Sequence, residues 1–264
     1  MATNSTKSPS SGTVRVFVAV EVPEEIRGYL AGLQAAFRRH GRVVKLVDPN
    51  LMHLTLRFLG NVPAHQLGSV ERTIRDTARD VYPFTLTLSQ FGAFPGKGQP
   101  PRVVWVGLAA DDGYDALQRV FSRLEDRLIL AGFPAEARPF APHVTLARLR
   151  DGVSIEEARG VDETVIEARA SKGIEAVFLV SQLTLMRSDL GPGGARYTPL
   201  AQAPFELGFD GRIDFPQDVV EIAESALNHP SASKVTCGQS YASLAAATDC
   251  GTGVPKKVIM ASAR

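Results

Sequence analysis

One short pattern, present twice, constrains this 264-residue chain more than any other feature. His53-Leu54-Thr55-Leu56 and His143-Val144-Thr145-Leu146 begin 90 residues apart, each inside a run of apolar and β-branched residues that reads as a strand. Residues i and i+2 of a strand share a face. His53 and Thr55 then project one way, with Leu54, Leu56 and Phe58 packing on the other. His143 and Thr145 stand in the same relation to Val144 and Leu146. Each strand presents an imidazole beside a hydroxyl, so a fold holding both must bury two strand backs and leave two polar fronts open.

The elements around each copy recur in one order. After the first come a helix over Pro63–Val81, a strand over Phe84–Phe91, a Gly/Pro-rich loop over Gly92–Pro101 and a strand over Arg102–Ala109. After the second (strand Pro142–Leu149) come a helix over Ser154–Ala170, a strand within Ile174–Arg187, a Gly-rich turn and a strand over Gly194–Ala203. Ser154 and Glu157 form a capping-box pattern. A strand at Val14–Val22 and a Pro-led helix ending near His40 precede the first copy, and a helix over Asp112–Ala131 separates the rounds. This order predicts two similar α+β lobes that exchange terminal elements, the second round being completed by the N-terminal strand and helix.

Composition narrows the chemistry. With Lys+Arg 29 against Asp+Glu 28, the chain is no strongly basic nucleic-acid coat, although one phosphate needs only a local site. Both cysteines, Cys237 and Cys250, fall near the C-terminus, which leaves no thiol nucleophile or cysteine zinc site before them. No apolar run approaches the ~20 residues of a membrane helix. A cytoplasmic monomer is expected, without metal or cofactor. The boundaries are a polar leader at 1–13, a two-lobed domain at 14–205 and a poorly ordered extension at 206–264 with a short amphipathic helix at Pro216–Leu227. Cys237 and Cys250 are expected as free thiols, and Lys256-Lys257 is too short a basic run for an RNA site.

Two histidines suit displacement at phosphorus. One takes a proton from the attacking oxygen and the other gives one to the leaving oxygen, both titrating near pH ~6.5. Each threonine hydroxyl can donate to a non-bridging phosphate oxygen. Two histidines without spaced carboxylates make a poor zinc site.

The chain resembles the 2H phosphoesterase superfamily, and within it the RNA 2′,3′-cyclic phosphodiesterases, also called 2′-5′ RNA ligases. The resemblance rests on Arg15–Val20, His53–Gly60, Arg102–Leu108, Phe140–Arg148 and Ser188–Tyr197, and covers roughly Val14–Phe205. It implies a bilobal, pseudo-symmetric α+β fold, with two antiparallel-rich sheets and flanking helices around a central cleft, and hydrolysis of an RNA 2′,3′-cyclic phosphate end to a 2′-phosphomonoester, with His53 as acid, His143 as base, and Thr55 and Thr145 on the phosphate. Arg148 matches an arginine linked to that phosphate. Its odd offset from His143 puts it on the opposite face unless a bulge or strand end intervenes. Phe140 is a candidate for stacking on a base, with packing as its alternative. Arg57 is expected at the surface or cleft rim, Trp105 in the core, and His40, His65 and His229 at the surface or at helix ends. Ligation in the reverse direction, and a non-catalytic RNA-end binding module, are the competing functions.

Overall fold

The computed structural model describes residues 12–96, 99–171, 174, 176–191 and 194–205. The leader, the extension beyond residue 205, the helix expected at 216–227 and both cysteines lie outside the described residues, apart from Gly12 and Thr13.

Among the described residues, nine strands form one sheet: β1 Thr13–Glu21, β2 Val44–Leu46, β3 His53–Pro63, β4 Phe84–Phe94, β5 Val103–Leu108, β6 Val144–Leu149, β7 Ala176–Val180, β8 Gln182–Gly191 and β9 Gly194–Pro204. Four α-helices accompany them among these residues: α1 Glu24–Leu33, α2 Leu67–Ala78, α3 Asp112–Leu130 and α4 Ile155–Ala170. The strand order is β7-β4-β5-β6-β3-β1-β8-β9, with β2 beside β6, and every pair is antiparallel. Thr13 already belongs to β1, so the sheet begins inside the expected leader.

The two motif strands lie side by side at the centre. To one side of β3 run β1, β8 and β9; to one side of β6 run β5, β4 and β7. The first half thus joins a strand of the first round (β3) to strands of the second (β8, β9). The element order predicted that the N-terminal strand joins the second round, and β1 does lie beside β8; it did not predict that β3 and β6 trade halves. The two expected sheets are halves of one, joined where β3 meets β6 at Leu54 and Val144.

The helices cover a single face. Val16, Val18, Val20, Leu54, Leu146, Val104, Val106, Leu86 and Leu88 point inward and meet Ile26, Leu30, Ile74, Leu117, Leu124 and Val161 in one continuous core. Burying such side chains contributes ~1.5–3 kcal/mol each before the entropy of ordering is set against it. Local caps fix the helix starts. Asp111 accepts from the Tyr114 N–H at 3.0 Å, and Ser154 and Glu157 complete their reciprocal capping box. The opposite face of the sheet carries a smaller apolar set, Phe17, Ala19 and Met186 with Phe58 and Tyr197. The helix expected to run to His40 tightens to 3-10 geometry from Gln34, and β4 continues to Phe94 into the expected loop.

Candidate active site

The register around the bridge brings the motifs together. Leu54 pairs with Val144, so one step either way sets His53 across from Thr145, and Thr55 across from His143. All four side chains stand on the face free of helices.

Both motifs end in a bulge. Val18 pairs with Arg57 and Ala19 with Thr55, leaving Leu56 as the extra residue of β3. Val104 pairs with Ala147 and Trp105 with Thr145, leaving Leu146 as the extra residue of β6. An extra residue reverses the alternation beyond it. Leu56 and Leu146 turn inward, Arg57 and Ala147 follow them inward, and Phe58 and Arg148 emerge on the cleft face. This meets the condition set for Arg148, whose odd offset needed a bulge. It also corrects two expectations. Phe58 packs against Phe17 on the cleft side, and Arg57 is 6% exposed rather than at the surface.

Buried Arg57 is fully occupied. Its guanidinium contacts Glu125 at 2.8 Å and Glu136 at 3.1 Å, and donates to the carbonyl oxygens of Phe58 and Pro134. Glu125 also accepts from the Glu136 N–H at 2.6 Å. The network ties β3 to α3 and to the segment leading into His143. On the other strand Gln34, 4% exposed, donates to the carbonyls of Leu146 (2.8 Å) and Val47 (2.7 Å), bracing the second bulge.

The histidines are held alike. His53 Nδ1 lies 2.7 Å from the Leu51 carbonyl and His143 Nδ1 lies 2.7 Å from the Ala141 carbonyl. A carbonyl can only accept, so each Nδ1 carries a proton and each Nε2 is left for substrate chemistry. Phe17 and Tyr197 flank His53, with ring centroids 4.8 and 5.0 Å away. Phe94 and Trp105 flank His143 at 4.9 and 6.0 Å. Burial among these rings holds both imidazoles below their ordinary value of 6.5. The carbonyl bonds oppose the shift, and the Arg148 charge adds to it at both histidines; His143 adds to it at His53.

Trp105 is therefore a cleft residue rather than a core one. Its ring lies over Gly92, its cross-strand partner, where a Cβ would stand 2.1 Å from ring carbons. Only glycine there lets the indole lie flat and reach His143. Thr55, Thr145 and Arg148 have no hydrogen-bonded side-chain partner among the described residues. Phe140 is placed elsewhere. Its ring stacks on Phe121 at 4.0 Å and packs against the core, so it is not among the rings touching either histidine. The sequence reading missed Phe17, Phe94, Tyr197 and Gln34 as parts of the site. Phe17 was marked only by alternating with Val16 and Val18. His40 meets the expectation of a helix-end role, bonding Thr164 of α4 at 2.7 Å. No three His, Cys, Asp or Glu side chains gather as metal ligands among the described residues. No helix among them is long and apolar enough to cross a membrane.

A helix-backed antiparallel sheet with two H-x-T strands at its centre defines the class, a phosphoesterase of the 2H type. The chain belongs to the LigT-like phosphoesterase family, whose model matches residues 20–105 and 107–197. It is 31% identical over 188 residues to the RNA 2′,3′-cyclic phosphodiesterase of Methanothermobacter thermautotrophicus, covering 71% of this chain and 96% of that protein. It is 34% identical over 190 residues to the protein of the same name from Aeropyrum pernix, covering 70% and 99%. A crystal structure of E. coli LigT complexed with 3′-AMP is similar with a TM-score of 0.57 and 27% identity, covering 73% of this chain and 98% of that one.

Proposed function

We propose that the chain hydrolyses RNA 2′,3′-cyclic phosphate ends to 2′-phosphomonoesters, without a metal ion, by paired-histidine acid–base catalysis. The observation that carries this is the matched pair of Nδ1–carbonyl bonds, which leaves two Nε2 atoms beside two unoccupied hydroxyls. The names of the relatives and the 3′-AMP complex of E. coli LigT support the substrate class.

A water oxygen attacks phosphorus and its proton passes to His143 Nε2. The bond from phosphorus to the 3′-oxygen breaks, and His53 Nε2–H donates its proton to that oxygen. Thr55, Thr145 and Arg148 hold the non-bridging oxygens, where charge develops. The lowered pKa of His143 suits a base that must start neutral. An anionic phosphate beside His53 favours the protonated form that the acid requires. The direction, His53 as acid and His143 as base, follows the family resemblance.

Turnover of an oligonucleotide ending in a 2′,3′-cyclic phosphate tests the proposal. His53→Ala and His143→Ala should each lose ~10²–10⁴-fold, and EDTA should leave the wild-type rate unchanged. Near-full turnover in either variant would overturn the paired mechanism. Loss with EDTA that a divalent ion restores would overturn metal independence.

A further inference from the structure

We propose that Lys45 forms a second phosphate subsite beside Arg148, and that it holds the phosphate on the 5′-oxygen of the terminal nucleotide. The substrate's identity rests on the function proposed above; the site itself rests on the following geometry. Lys45 of β2 stands directly across from Arg148 of β6. Directly opposed residues of an antiparallel pair share a face, so Lys45 joins Arg148 on the cleft side. Like charges placed this way repel. Neither has an ion-pair partner among the described residues. A pair of cations at one ladder position, with no carboxylate between them, is a site for an anion from outside.

Its position separates it from the reacting phosphate. Arg148, with Lys45 across from it, lies four residues along β6 from Val144 of the bridge that sets the histidines together. The lysine reaches toward the other half of the sheet. Its Nζ lies 3.3 Å from where a Cβ on Gly194 would stand, at the start of β9. Gly194 has a φ of +116°, a conformation suited to glycine, and its missing side chain leaves the ammonium room. Three residues further along β9, Tyr197 touches the His53 ring. Gly194 and Tyr197 lie ~10 Å apart along the β9 backbone at the strand rise. Arg148 reaches the reacting phosphate from one side, and Lys45 holds the next phosphate at the cleft mouth. The consequence is a preference for RNA ends over isolated nucleoside cyclic phosphates.

Calorimetry with two product-like probes, adenosine 2′-monophosphate and adenosine 2′,5′-bisphosphate, tests this on the full chain. In the wild type the bisphosphate should bind about fivefold more tightly, in line with one exposed charge pair, and added salt should erode the advantage. Lys45→Ala and Lys45→Gln should abolish the advantage, and Lys45→Arg should retain it. An undiminished advantage in Lys45→Ala and Lys45→Gln, or an equal loss for both probes, would overturn the subsite. Turnover is read separately. A wild type that binds as described but leaves cyclic phosphates intact would overturn the hydrolase proposal and uphold the subsite.

Discussion

Burial holds His53 and His143 below the ordinary imidazole value, and the Arg148 guanidinium pushes both in the same direction. The proposed reaction needs one imidazole neutral and one protonated. For free enzyme and substrate the rate therefore peaks between the two apparent pKa values of the pair, on the acid side of 6.5. Arg148→Ala removes a charge that disfavours imidazolium, so both values rise and the optimum of kcat/KM moves to higher pH. Its magnitude should fall roughly 10²-fold, as for loss of one donor to developing charge. Arg148→Lys should keep the optimum near its wild-type position while losing the forked contact. A pH–rate series on the three proteins checks this, and an optimum that moves down in Arg148→Ala would contradict it. The candidate His and Thr positions were legible because period-2 alternation needs only four residues. Arg148 was legible only as a condition, since alternation by itself pointed it the wrong way.

Two matched bulges turn a regular ladder into a site. Each takes the leucine of its H-x-T-L as the extra residue and reverses the side chains that follow it, until β3 takes a further extra residue at Leu59. No periodicity reports such a residue beforehand. For that reason Arg57 was expected outside and Phe58 inside, and each is on the other side. The inward turn of Arg57 is tolerable because Glu125 and Glu136 meet it. Arg57→Met leaves Glu125 without its cation and Glu136 with Arg138 alone, and should destabilise the fold by about 3 kcal/mol. A thermal melt should fall by roughly 10 °C for a domain of this size; an unchanged melt would remove the network from the account. Gly92→Ala drives a Cβ into the Trp105 ring and should cost about 1–3 kcal/mol by overpacking. The displaced indole should also change the environment of His143, which the NMR titration of its ring protons would register. The Gly92 position was read as loop, because a glycine under an indole has the same local signature as a glycine in a turn.

The whole molecule makes one cleft from two halves of a single sheet. That there are two halves could be read from element order, since a repeated sequence of strand, helix and strand implies a repeated packing unit, but which motif strand joins which half could not. Their junction could not. The Leu54–Val144 pairing links residues 90 apart, and no local pattern encodes it. Charge at this scale argues for gripping an end rather than coating a strand. Residues 14–205 hold 23 basic and 21 acidic side chains. With two phosphates engaged, the logarithm of affinity for a single-stranded RNA end should fall against the logarithm of salt with a slope of about 1.4. A much steeper slope in a salt titration would mean a longer binding track than the cleft provides. The central claim is that water attacks in line while His53 protonates the departing 3′-oxygen. Assigning the product of a 2′,3′-cyclic phosphate oligonucleotide by phosphorus NMR tests it most directly. The account predicts a 2′-phosphomonoester formed by the wild type and almost absent with His53→Ala or His143→Ala; a 3′-phosphomonoester would contradict it.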